Sequence, residues 1–236
     1  MNKEDIIKEK FKQALTSTFK VISEDFKINT KDKKSENNKN IQIGELKDIN
    51  DKNQFKKLRA ETDSEALKIK FSNNEIFQKN LPKKSSCQNL YKITEKIRYE
   101  LLGSRMLKGI SKNFYDNYKN KLNSSKNEKI LKKEDVNISE AFEIYMLNKF
   151  FKIELSKKNS EILNFWSEDF KKSFDKHINY LNENLENQEL YNAKFSELLQ
   201  NMEIFENEEN QENTDKELDN EKDINNSNEN EENKND

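Results

Sequence analysis

Side chains able to do covalent or metal chemistry are scarce in this sequence, which has one histidine, His177, and one cysteine, Cys87. A zinc site needs several convergent ligands, and a nucleophile needs a base held within hydrogen-bond reach. His177 stands one turn after Ser173 and Phe174 on an amphipathic stretch, where a lone histidine more often serves packing or the surface than a site. Cys87 follows Ser85 and Ser86 at a helix start, a place that can lower a thiol pKa. No His or Asp signal accompanies it, so it reads as an ordinary cap-region residue. One cysteine forms no internal disulfide, and a reducing cytoplasm is the default expectation. The sequence contains no GxxxxGK[ST], no GxGxxG and no HExxH, the patterns that would seat ATP, a dinucleotide or a zincin metal. No catalytic, cofactor-binding or metal-binding residue is expected in this chain.

What remains is a run of charged and small residues at tight spacing: Arg98, Glu100, Gly103, Arg105, Gly109 and Asn113, preceded by Arg59 and Asp63. Without a nucleophile such residues make ion pairs and hydrogen bonds, and two readings are open. Arg98, Glu100 and Arg105 can face outward as polar contacts to a partner. They can equally close an internal ion-pair network that specifies packing, with Gly103 and Gly109 permitting a bend or a close helix contact. Glycine costs about 1 kcal/mol relative to Ala inside an exposed helix, and the chain has only three glycines and one proline.

That shortage of turn formers argues against a β-sandwich or an α/β fold and for an all-α chain. Apolar residues recur at steps of three and four. They mark helices over residues 4–26 (Ile7, Phe11, Leu15, Phe19, Ile22, Phe26) and from Phe55 to Ile76, stopping before Leu81-Pro82. The segment from Cys87 to Leu122 reads as one long helix with two stripes: Leu90, Ile93, Ile97 and Leu101, then Leu107, Ile110, Phe114 and Tyr118. Asn137-Ile138-Ser139-Glu140 has capping-box spacing and opens a helix through Phe142, Tyr145 and Phe150. A helix centred on Trp166 runs from Leu163 to Leu181, and a last one carries Leu190, Phe195, Leu198, Met202 and Phe205. The expectation is about six helices in a bundle-like domain over residues 1–205. A short β-hairpin is expected near residues 28–48, around Ile41, Ile43 and Gly44.

Charge divides the chain unevenly. Residues 206–236 hold thirteen Asp or Glu and three Lys, a net of −10, which leaves residues 1–205 at +8. With only Leu218 and Ile224 as large apolar residues, 206–236 is expected to be a disordered acidic linker or tail. The lysines of residues 1–205 are interleaved with acids and form no arginine-rich stripe, so no nucleic-acid partner is expected. The N-terminal stretch interrupts its apolar residues with charge, unlike a signal peptide or membrane anchor. A soluble, cytoplasmic protein without membrane contact is the expectation.

Arg59-Ala-Glu-Thr-Asp63-Ser-Glu-Ala66-Leu67, then Pro82, then Arg98-Tyr-Glu100-Leu-Leu-Gly103 and Met106-Leu-Lys-Gly109-Ile-Ser-Lys-Asn113-Phe114 resemble the N-terminal region of the cobaltochelatase subunit CobT family. The family pattern is R-G-x-A-D-x-x-A-L, P, A-R-V-E-A-x-G and M-x-G-V-A-x-N-L. Ala60 departs from it where a glycine is common, and Phe71 and Phe77 stand near positions that are often polar. The resemblance implies a subunit of an ATP-dependent cobaltochelatase that inserts cobalt into hydrogenobyrinic acid a,c-diamide in aerobic cobalamin biosynthesis. It further implies two partners, a CobS-type AAA+ ATPase and a large corrin-binding subunit, with ATP, Mg and cobalt used by those partners and with homo-oligomers in the complex. In the family a von Willebrand factor A domain with a D-x-S-x-S motif follows the acidic linker; this sequence has no such motif. The alternatives are an adaptor for a MoxR-like AAA+ chaperone outside cobalamin synthesis and a helical nucleic-acid-binding domain.

Overall fold

The computed structural model describes residues 2–25, 43–124 and 132–205. Those residues are all-α, with ten α-helices, three 3₁₀ turns and no strand among them. The expected acidic linker and residues 28–42 of the expected hairpin lie outside the described residues. Residues 43–46 form neither helix nor strand; Ile43 and Leu46 instead bury in one cluster with Leu58.

α1 (Lys3–Ser23) starts at a capping box in which Asn2 accepts from the Asp5 amide at 2.8 Å and Asp5 accepts from the Asn2 amide at 3.1 Å. Its buried stripe is Phe11, Leu15, Phe19 and Ile22. α2 (Lys52–Phe71) is capped by Asp51 and stops earlier than the apolar spacing suggests. The reason lies at Asn73, whose side chain accepts from the amides of Glu75 and Ile76 and so starts a new helix, α3 (Asn74–Lys79). Such a local side-chain cap competes with continuation of the preceding helix.

The segment expected as one helix divides into α4 (Ser85–Met106) and α5 (Lys108–Ser124). Neither glycine makes the break. Leu107 does, with φ −139° and ψ 123°, while its amide still donates to the Gly103 carbonyl at 3.0 Å. α6 (Ile138–Phe151) is capped by Asn137 through the Ser139 amide and buries residues on all sides, Ala141, Phe142, Ile144, Tyr145, Met146, Leu147 and Phe150, as a central helix must.

Four pieces replace the expected Trp166 helix: α7 (Lys157–Asn164), α8 (Ser167–Phe174), a 3₁₀ turn (Asp175–His177) and α9 (Ile178–Glu183). Trp166 is the residue before α8 rather than its centre, with the Lys133 ammonium 4.1 Å from its ring centroid. α10 (Gln188–Gln200) is capped by Asn187. α4 is the axis of the body, packing against α2, α5, α6 and α10. The main core gathers Phe142, Phe170, Phe174, Phe195 and Tyr191 with residues from every side, and a second, smaller cluster joins Phe11, Leu15, Ile43, Leu46 and Leu58.

Candidate functional site

Two charges of the motif, Arg98 and Glu100, are buried on α4. Arg98 is 1% exposed. Its Nε donates to Glu95 Oε2 at 2.9 Å and one terminal nitrogen donates to Glu95 Oε1 at 2.9 Å, a forked pair within one helix. The same terminal nitrogen donates to the Phe71 carbonyl, and the other donates to the Leu185 carbonyl at 2.9 Å. A helix leaves its last carbonyls without internal partners; Arg98 satisfies one at the end of α2 and another carbonyl in the turn before α10. Gln188 extends the cluster, donating to Glu95 Oε1 at 3.1 Å and to the Asn73 carbonyl at 3.0 Å, while its oxygen accepts from the Asn73 amide at 2.7 Å. Ser72 also donates to Glu95. One guanidinium thus ties two separate segments, the end of α2 and the turn before α10, to α4.

Glu100 is equally sealed, at 1% exposed. Its carboxylate accepts from Ser64 Oγ at 2.6 Å and from the Tyr118 hydroxyl, joining α4 to α2 and α5. Lys96 is 3.9 Å away. Burial drives the Glu100 pKa upward, opposed first by the Lys96 charge and then by the Ser64 and Tyr118 hydrogen bonds. The Tyr118 hydroxyl is pushed well up, by its own burial first and then by the Glu100 charge. A third link joins α2 to α5: Asn113 donates to Asp63 Oδ2 at 2.8 Å. Burial raises the Asp63 pKa, while Asn113 and the Arg59 charge pull it down.

Gly103 completes the interior set. A Cβ there would lie 2.3 and 2.5 Å from the two methyl carbons of Leu67, so the glycine is what lets α2 approach α4. The remaining two motif residues are different. Arg105 and Gly109 are exposed, and a Cβ on Gly109 would meet nothing within 4 Å, so this glycine serves no close helix contact.

A family model described as "Cobalamin biosynthesis protein CobT" matches residues 7–236. The chain belongs to the CobT family. Neither a curated protein nor a solved structure matches it. The parts of this CobT-family chain that carry the sequence likeness therefore sort into two groups. Arg98, Glu100, Gly103, Asp63 and Asn113 join helices to one another, and the buried Arg98 and Glu100 have no face left for another protein. Arg105 and Gly109 remain available on the surface.

Several residues of this hub were not singled out from the sequence. Glu95 could have been found from its i, i+3 spacing to Arg98. Tyr118 looked like a stripe residue, and its hydroxyl partner is visible only in three dimensions. Gln188 lies 93 positions from Glu95, its partner. Cys87 is fully buried and its thiol donates to the Leu199 carbonyl at 3.4 Å. His177 lines a surface hollow with Lys172, Lys176 and Glu197; partial burial and the nearby Lys194 and Lys176 charges lower its pKa. Among the described residues no group of three or more His, Cys, Asp or Glu is arranged to hold a metal ion, and no helix is long and apolar enough to cross a membrane.

Proposed function

We propose that this CobT-family chain is a non-catalytic assembly subunit of an ATP-dependent cobaltochelatase. It holds a CobS-type AAA+ ATPase near a large corrin-binding subunit while those partners use ATP, Mg and cobalt to metallate hydrogenobyrinic acid a,c-diamide. The observation that carries this reading is the family match together with the fate of the motif charges. Arg98 and Glu100 are bonded inside the body on every side, which suits a rigid platform better than a reacting centre. Docking then falls to the exposed end of the motif, at Arg105 and Gly109.

The test is co-purification of the full chain with a CobS-type AAA+ ATPase. Arg105→Glu is expected to lose the ATPase while keeping the far-ultraviolet spectrum and melting temperature of the parent. Undiminished binding by Arg105→Glu would move the docking face elsewhere, and ATP hydrolysis or cobalt chelation by the purified chain alone would refute the assembly role.

A further inference from the structure

Large apolar side chains exposed on the surface occur singly at Ile6, Val21, Tyr115, Tyr180 and Leu190; at the junction of α4 and α5 two are consecutive. Met106 is 42% exposed and Leu107 48%. Arg105 and Lys108 flank them, and among the described residues neither forms an ion pair or a side-chain hydrogen bond. Gly109 leaves open space beside them, while Lys112, one turn along α5, is already paired with Asp116 at 3.1 Å and adds no free charge. The backbone of this tip is fixed on both sides, by the Leu107 amide on the Gly103 carbonyl at 3.0 Å and the Ser111 amide on the Leu107 carbonyl at 3.1 Å. A preformed apolar pair between unpaired cations suits a ligand that is aliphatic and acidic at once, and a rigid site binds at lower entropic cost.

The sequence supplies that ligand. Residues 206–236 carry a net charge of −10, and their two large apolar residues sit among acids: Glu217, Leu218 and Asp219, then Glu221, Asp223 and Ile224. Reach is sufficient. α10 runs antiparallel to α4, since Cys87 meets Leu199 and Arg98 meets Leu185, so Phe205 lies toward the Ser85 end of α4. The tip is at the opposite end of that 22-residue helix, about 30 Å away at 1.5 Å per residue. The thirteen residues from Phe205 to Leu218 can span up to about 45 Å.

We propose that the Arg105–Gly109 tip is the docking site of this chain's own acidic segment, with Leu218 against Met106 and Leu107 and with Glu217 and Asp219 beside Arg105 and Lys108. The contact is intramolecular and gains from the effective concentration of a tethered ligand. Its ionic part weakens as the Debye length falls from about 10 Å at 0.1 M salt to about 3 Å at 1 M. It stands on the exposure and charge of the tip, whether or not an ATPase also docks there.

The experiment places a nitroxide on the full chain at Asn220→Cys; Cys87 is fully buried, so labelling goes to the new thiol. Methionine methyl signals are then followed by NMR, with the buried Met146 as internal reference. The expected result is selective broadening of the Met106 methyl, reduced at 1 M salt and lost in Arg105→Glu/Lys108→Glu, whose two positions are both on the surface. The proposal is overturned if Met106 broadens no more than Met146, or if the charge reversal leaves the broadening intact. It is also overturned if broadening arises only between isotope-labelled and spin-labelled chains mixed together, which would make the tip a contact between copies.

Discussion

Arg98→Met is the most severe test of the hub. The substitution removes four hydrogen bonds and leaves Glu95 buried without its cation, together with two orphaned carbonyls, Phe71 and Leu185. Removing one partner of a buried pair costs about 3–5 kcal/mol, and each stranded polar group adds about 1–3 kcal/mol where water cannot reach it. Ser72 and Gln188 still bond Glu95, and relaxation admits some water, so we expect a loss of about 4 kcal/mol. That is a large share of the roughly 5–15 kcal/mol that stabilises a typical domain. In urea unfolding followed by circular dichroism, a slope of about 2 kcal/mol per molar turns this into a fall of about 2 M in the midpoint. The companion Glu95→Gln/Arg98→Met removes the stranded charge but keeps an oxygen for Ser72, and should recover part of the loss. A fall under about 0.5 M at unchanged slope, or a double variant no more stable than Arg98→Met, would show that the guanidinium is not the tie described above.

The two glycines of the motif should respond with opposite signs. Gly103→Ala drives a methyl into Leu67 and should destabilise by about 1–3 kcal/mol, with rescue when Leu67 is shortened to Ala in the same chain. Gly109→Ala meets open space on a helix and should raise stability by up to about 1 kcal/mol, read as a higher melting temperature. Glu100→Gln tests the sealed carboxylate. Because burial raises the Glu100 pKa above its ordinary 4.5, the folded state holds the proton more tightly than the unfolded chain does. Its contribution is therefore most favourable below pH 4.5 and is lost as pH rises through the folded-state pKa. The stability of Glu100→Gln relative to the parent should climb over that window; a difference independent of pH, measured by urea midpoints at each pH, would contradict the burial cause.

Helical character was plain in the spacing of residues such as Leu90, Ile97 and Leu101 or Phe142 and Tyr145, because a buried stripe must repeat at the helical period. The breaks were less visible. Asn73 is a readable cap, yet the apolar run through Ile69 and Ile76 masks it. Leu107 carries no breaker signal at all, and its extended conformation is set by how α4 and α5 pack. Trp166 and the 3₁₀ turn at Asp175–His177 divide a stretch whose period alone reads as continuous. For the charged motif the residue types predicted an ion-pair network and an outward docking face equally well. The outcome depended on partners remote in sequence: Leu185 and Gln188 for Arg98 and Glu95, Ser64 and Tyr118 for Glu100. Nothing local distinguishes such an arginine from a solvated one such as Arg105, two helical turns further on.

The division of the apolar residues into two clusters has a consequence for α1. Phe19 and Ile22 belong to the main core, whereas Phe11 and Leu15 rest on the small group made with Ile43, Leu46 and Leu58. One helix is thus gripped at two strengths along its length. Amide deuteration should run as a gradient, fastest near Phe11 and slowest near Ile22, because the front half can lift away without disturbing Phe142 and its neighbours. The far end of α1 is where this architecture can yield first while the rest stays folded.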